Sequence, residues 1–345
     1  SMPAPAKSSG ESDGSVKNGS NLTGVVSTEE MAWGCIGLML SIPGMGLGNA
    51  AISAVGTEEQ KAKFGKMYCA MAITEPSCGS DSAAVRTTAR LDGNEWVING
   101  EKIFATAGER GDAVVVWATL DRSLGKAAIK SFVVEKGTPG MTVVRCENKM
   151  GLKVSDTAAI TFTECRIPKE NILGSAEVGD TAEARKKAFG GVMQTFDNTR
   201  PQVAAMSLGV ARAALELTRS LLKQEGIDPQ YSASPVKLTA IERDIYMMEA
   251  ELEAARLLTM KAAWLADNRI PNSKEASMCK AKAGRVGNAI TLKCVELCGT
   301  LGYSEQHLLE KFARDSKILD IFEGTQQIQQ LIVARQILGK SSSEL

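Results

Sequence analysis

The feature that most constrains the fold is a run of short β-branched segments between residues 69 and 168: AMAIT, EWVINGEKIFAT, DAVVVWATL, IKSFVVEKG, MTVVRCE and AAITFTECRIP. They recur about every dozen residues with DGN, NGE and TPG between them, a pattern of strands joined by tight turns. No helix-period stretch separates them, so a parallel nucleotide-binding sheet is disfavoured and an antiparallel sheet, barrel or sandwich is predicted.

Helical patterns flank this region. Glu29 and Glu30 follow Ser27 and Thr28 as at a helix start, and EEQKAKFGK closes a second short helix. After a polar link over residues 177–187, one helix is predicted to begin behind Thr199 with Pro201 in its first turn and to end near Gly226. A second runs from about Val236 to Ala266, and a third opens at Asn272 with Glu275 in capping-box spacing. A fourth starts near Gln326 and stops at Gly339. The fold class is therefore α+β. A tag-like, disordered stretch (1–27) precedes a short helical domain (28–66), a middle β-domain (67–175) and a C-terminal four-helix bundle (176–345).

Forty basic residues balance forty acidic ones in 345, and no basic block stands out, which argues against nucleic acid or an anionic membrane as partner. The longest apolar stretch, from Ile36 to Ile52, is broken by Pro43 and several glycines, so no integral membrane segment is predicted. Eight scattered cysteines lack metal or redox-turn spacing. Cys294 and Cys298 are spaced as on one helix face, and the set reads as buried thiols of a reducing compartment. The single histidine, His307, has no Ser or Cys partner at motif spacing, which leaves hydrolase triads and metal catalysis without support.

Candidate chemistry concentrates in four stretches. ITEPSCGSDSAA places Thr74, Gly79 and Ser80 in a loop whose backbone N–H groups could approach an anion or a ring edge, or could simply make the turn. In NGEKIFATAG, Phe104 could stack on a flat ring and Thr106 could bond a ring nitrogen; a core Phe and a surface Thr are the plain alternatives. In FDNTRP, Arg200 could hold a phosphate or pair with Asp197. In DIFEGTQQIQQ, Glu323 is either an acid favoured by a helix N-terminus or a desolvated carboxylate able to move a proton near neutrality.

The order and spacing of these stretches over residues 28–340 resemble the acyl-CoA dehydrogenase family of flavoproteins, and actinobacterial members in particular. The resemblance implies an enzyme that converts an acyl-CoA to a trans-2-enoyl-CoA. Glu323 would remove the α-proton while hydride leaves the β-carbon for FAD. The Glu323 backbone N–H and an FAD ribityl hydroxyl would hold the thioester oxygen, and Gly324 would leave room for the substrate. Thr74, Gly79, Ser80, Phe104 and Thr106 match flavin-lining positions, with Phe104 where many relatives carry Trp. Thr325 and Gln327 match contacts to the adenosine half of FAD, and Phe196 and Arg200 match positions near CoA. Some relatives carry the base at the position of Thr199, where a threonine cannot serve.

The resemblance further implies a homotetramer or dimer, an electron-transferring flavoprotein as acceptor, and a bacterial cytoplasmic or mitochondrial-matrix setting. Two departures stand out. The helical segment ahead of ITEP is about half the family's usual length, and LLKQEGIDPQYSASPVK lacks the Arg-x-x-Phe stretch that binds FAD pyrophosphate in many relatives. Two rivals stay in view: an acyl-CoA oxidase or related flavin enzyme of the same fold, and, on the strength of these departures, a weakly catalytic structural subunit of a hetero-oligomer.

Overall fold

A computed structural model describes residues 18–42, 47–178, 182–232 and 234–340, with backbone alone for 182–198 and 235. Contacts divide the chain into two compact units. One holds residues 40–149 and 153–195, the other residues 150–152, 196–345 and the segment ending at Met39.

The first unit is built on a sheet of β1 (Cys69–Ala72), β2 (Thr88–Asp92), β3 (Glu95–Thr106), β4 (Ala113–Thr119), β5 (Ile129–Glu135), β6 (Met141–Cys146) and β7 (Thr157–Pro168). The strand order is β1-β4-β2-β3-β7-β6, with β5 paired to β4. The sheet is mixed, not antiparallel throughout: β1 runs parallel to β4, and β2 meets β4 in parallel at Thr88 and Thr119. Parallel strands need a long crossover, usually helical. Here the β2–β3 hairpin lies within that crossover, so the parallel pair forms without a crossover helix of the usual kind. Gly93, at φ 63°, turns that hairpin in the left-handed region where glycine carries no Cβ penalty.

The strands bury one apolar cluster that includes Ile98, Phe132, Ile160 and Ile167, with Trp96 edge-on to Phe132 at 5.3 Å. Two short helices, α2 (Leu47–Val55) and α3 (Glu58–Phe64), cover a second cluster in which Ile52 and Phe64 pack on Cys69, Val115 and Val133. Thr57 and Gln60 form a capping box that starts α3. Gly48 lets α2 lie on β1, since a Cβ there would stand 2.3 Å from the Ala70 carbonyl oxygen.

The second unit contains α1 (Ser20–Met39), α5 (Ala240–Asp267), α6 (Ser273–Tyr303), α7 (Leu309–Ser316) and α8 (Gln326–Leu338), together with the C-terminal part of α4 (Ala182–Gln224). Helix α1 begins at Ser20, not at Thr28, so residues 20–27 are helical; residues 1–17 of the tag-like stretch lie outside the described residues. Its first turn donates the N–H groups of Asn21 and Leu22 to Asp267 at 2.8 and 3.0 Å. Glu29 is not a first-turn acid: it is buried in mid-helix and accepts from Arg256 at 2.7 Å.

Three further expectations are corrected. Helix α4 begins at Ala182, where a link was predicted, and continues through Pro201; AEARKKA is rich in strong helix formers and carries the helix upstream of the proline. Asn272 makes no side-chain cap bond; its amide NH2 donates to the Ala262 carbonyl and ties α6 to α5. The cysteines are all free but not uniformly buried: Cys146 is exposed. Helix α8 ends as predicted, with Gly339 left-handed at φ 64°. Among the described residues no helix is long and apolar enough to cross a membrane, and no His/Cys/Asp/Glu cluster could hold a metal.

Candidate active site

The predicted residues fall in two groups, one in each unit. In the sheet unit, the loop after β1 doubles back on itself through paired backbone bonds between Glu75 and Cys78. A Cβ added at Gly79 would stand 3.8 Å from the Thr74 methyl, an ordinary contact, and Gly79 and Ser80 are exposed. The Thr74 carbonyl accepts the Ile103 N–H at 2.9 Å, which brings this loop beside the segment that carries Phe104. There β3 has one extra residue relative to β7, between Lys102 and Ala105. Phe104 takes φ 56° and is 57% exposed, a large apolar residue left outside the core at an energetic cost. Thr106, two residues on, is half-buried.

What holds this loop was not evident in the sequence. Glu75 and Lys102 are both buried and form an ion pair at 2.8 Å. Glu75 also accepts the Arg86 and Thr87 N–H groups at 2.7 and 2.9 Å and the Thr87 hydroxyl at 2.6 Å. Burial pushes the Glu75 carboxyl up, but the bonds from Lys102 and Thr87 outweigh it and hold the group below its ordinary value. Lys102 also donates to the Ile73 carbonyl at 2.9 Å. A lysine inside a strand that alternates inward and outward was the available signal.

In the helical unit, Glu323 lies in the turn between a short 3-10 segment (Lys317–Asp320) and α8. Both Glu323 and Gly324 have left-handed backbones, φ 55° and 94°. For Glu323 that conformation costs about 1–2 kcal/mol, so it persists only because its surroundings fix it. The Gln329 amide donates to the Glu323 and Gly324 carbonyls at 3.1 and 3.2 Å, and the Lys280 ammonium donates to the Gly324 carbonyl at 2.6 Å. Gln326 bonds back to the Ala281 carbonyl at 2.9 Å. Thr325 caps α8 by accepting the Ile328 N–H at 3.4 Å, and Gln327 is exposed in the first turn.

The Glu323 carboxylate accepts the Thr199 hydroxyl at 2.6 Å. Burial pushes its pKa up, against the Thr199 bond and the positive charges of Arg200 and Lys280. Glu323 thus combines a place just ahead of a helix with the surroundings of one hydroxyl and two cations. Its own backbone N–H has no acceptor among the described residues. Arg200 is 3% exposed, and its charge acts on this carboxylate. The side chains of Phe196 and Asp197 lie outside the described residues.

Lys280 and Gln329 were not singled out from the sequence. The signal for Lys280 was its register: it shares the buried face of α6 with Ala276, Ala283, Gly284 and Gly287, positions a solvated lysine avoids.

The chain matches two family models, described as the acyl-CoA dehydrogenase middle domain over residues 70–165 and the acyl-CoA dehydrogenase C-terminal domain over residues 189–338. It is 37% identical over 321 residues to the mitochondrial short-chain specific acyl-CoA dehydrogenase of Bos taurus, covering 91% of this chain and 75% of that one. Among solved structures it superposes on butyryl-CoA dehydrogenase from Megasphaera elsdenii with a TM-score of 0.81 at 32% identity, covering 92% of this chain and 82% of that one. It also superposes, with a TM-score of 0.82 at 35% identity and coverage of 93% and 83%, on a chain solved in work on the electron transferring flavoprotein of Acidaminococcus fermentans.

Proposed function

The chain belongs to the acyl-CoA dehydrogenase family of flavoproteins, and on that premise we propose that it oxidises an acyl-CoA thioester to the trans-2-enoyl-CoA, with Glu323 as the base. The observation that carries this reading is the state of Glu323: a carboxyl whose pKa is raised by burial, held in a strained turn by a hydroxyl, an amide and an ammonium.

A proton α to a thioester is a weak acid, so the site must supply a base of raised pKa and a donor for the developing enolate oxygen. Glu323 offers both within one residue: the carboxylate takes the α-proton, and its uncommitted backbone N–H is available to the thioester oxygen. Gly324 keeps a Cβ away from the turn, where it would meet the Gln329 amide at 2.5 Å. The sheet unit suits a flat ring. Phe104 is exposed, and the loop after β1, bonded to the neighbouring Ile103 N–H through Thr74, supplies Thr74, Gly79 and Ser80, with Thr106 two residues beyond Phe104. These fit FAD, which when bound accepts the hydride that leaves the β-carbon; Thr325 and Gln327 are assigned to its adenosine half. Arg200, Phe196 and Gly324 are assigned to the substrate side.

Electrons are proposed to pass to an electron-transferring flavoprotein. The relatives' names make short acyl chains the first to try. Exposed apolar side chains on α5, α6 and α8, among them Met247, Leu292 and Ile337, favour a homo-oligomer, for which a monomer by light scattering would count against the assignment. The decisive test is anaerobic titration of the FAD-loaded protein with a panel of acyl-CoAs beginning with butyryl-CoA. Bleaching of the flavin is expected; an FAD-loaded protein that stays oxidised with every thioester refutes the reading.

A further inference from the structure

Lys280 is the least expected group in the helical unit. Its residue is 1% exposed, on a helix face otherwise lined by small side chains. Burying an ammonium is costly, and a neutral amide already reaches the same carbonyl: Gln329 donates to the Gly324 oxygen at 3.2 Å. The carbonyl therefore does not need a lysine to be satisfied. What the lysine adds is a shorter, charge-assisted bond of 2.6 Å, about twice as strong as a neutral one, and a positive charge beside the turn that carries the carboxylate.

We propose that Lys280 is a positioning residue for Glu323, clamping the Gly324 carbonyl so that the left-handed turn aims the carboxylate and its backbone N–H, and biasing that carboxylate toward its charged form. The proposal rests on the assignment of Glu323 as the base. Lys280 makes no claim on the substrate itself. It acts through the peptide that follows the base, and α6 braces the same turn a second time through the Ala281 carbonyl and Gln326.

The clamp carries a pH dependence. Burial pushes the Lys280 ammonium down to about 8, with Asp320 and Glu323 favouring the charge and Arg200 opposing it. As pH rises through about 8 the ammonium becomes an amine, the bond to Gly324 weakens and the turn loses its strongest tether. On the acid side the effect is on Glu323. A positive charge nearby favours the carboxylate, so removing it moves the base's pKa further up.

The test is Lys280→Met in the FAD-loaded full chain, with the rate of flavin reduction by an acyl-CoA followed from pH 5 to 10. Three changes are expected together. The rate at pH 7 falls between about ten- and a hundredfold, the cost of a base misplaced by around an ångström. The alkaline limb near pH 8 disappears, and the acid limb moves to higher pH. Retained FAD and unchanged affinity for the enoyl-CoA product would localise the loss to the chemical step. A merely structural lysine would lower stability without moving either limb. A rate within threefold of wild type, or an alkaline limb that survives, overturns the proposal.

Should the methionine variant fail to fold, Lys280→Gln keeps a donor at the same carbonyl, does not titrate, and must lose the same limb. A readout without turnover separates this inference from the assignment it rests on. Because the folded pKa lies below the unfolded value of about 10.4, the unfolded chain holds more protons between those values, and wild-type stability must rise relative to the variant as pH climbs from about 8 to 10.4. A flat difference in melting temperature across that window overturns the proposal even if no thioester reduces the flavin; a rising difference supports a titrating clamp in either case.

Discussion

Replacing Glu323 with Gln tests the base most directly, because the structure separates what the substitution removes from what it leaves. Gln keeps an oxygen able to accept the Thr199 hydroxyl, now at 2.6 Å, and keeps the backbone N–H and the left-handed turn. It removes the one group in the cluster able to take a proton. Thr199 is not basic, Arg200 is always charged, and Lys280, with a pKa of about 8, is largely protonated at pH 7. General-base catalysis is worth roughly a hundred- to ten-thousandfold. With no substitute in reach the loss belongs at the upper end, and ten-thousandfold corresponds to about 5.5 kcal/mol of barrier. Stability moves the other way. A carboxyl whose folded pKa lies above its unfolded value keeps its proton in the fold while the unfolded chain releases it, so wild-type stability falls as pH rises through that interval. The variant should therefore melt higher than wild type at pH 7, with the gap closing near pH 4. The assays are stopped-flow flavin reduction under anaerobic conditions, with FAD content matched, and calorimetry at both pH values. A variant that reduces its flavin within about tenfold of wild type, or that melts lower at pH 7 and no differently at pH 4, would refute the reasoning.

Thr199→Val removes the hydroxyl bond to the carboxylate at nearly constant volume; the acid limb of the pH–rate profile should move up by on the order of one pH unit, the worth of one hydrogen bond to a charged group. An unmoved limb would mean that Thr199 does not stabilise the charged form. Lys102→Met leaves Glu75 buried without a counter-charge, its remaining donors being Arg86, Thr87 and the Cys78 thiol, and should cost about 3–5 kcal/mol in denaturant unfolding, with weaker retention of flavin. A loss below about 1 kcal/mol would show that the amides suffice. Gly48→Ala drives a Cβ against the backbone oxygens of Ala70 and Cys69 and should destabilise the sheet unit by about 1–3 kcal/mol in thermal unfolding.

The parts of this fold that could be read from the sequence are those fixed by near neighbours. β-branched runs between turn residues gave the strands, and the glycine that ends α8 gave its C-cap, because each signal and its consequence lie within a few residues. Where a distant partner decides, local signals misled. Ser27, Thr28, Glu29 and Glu30 read as a helix start, yet Glu29 is held in mid-helix by Arg256, 227 residues away. Asn272 and Glu275 read as a capping box, yet the asparagine is used by the Ala262 carbonyl. The parallel pairing of β1 with β4 brings together strands separated by an intervening hairpin, which no periodicity records.

The same distinction governs the candidate site. Glu323 came to notice through a resemblance between motifs, since its neighbours in sequence describe an ordinary helix-end acid. The groups that act on its charge, against its burial, are distant in the chain: Thr199 lies 124 residues earlier and Lys280 43 residues earlier. A lysine or a glutamate is assigned to solvent by any pattern that sorts residues by polarity, so Lys280, Lys102 and Glu75 were hidden by the very rule that located the core. Each is buried with its partner or acceptor named in the structure, and each braces a segment carrying a candidate residue: the turn of Glu323 in one unit, the loop of Thr74 and Gly79 in the other. Fixing a strained or irregular backbone takes donors and acceptors stronger than the packing of small apolar groups supplies. A charged side chain on a buried helix face or strand position is thus the sequence mark of a segment held out of its preferred conformation, and the backbone it reaches is where a search for the reacting groups should begin.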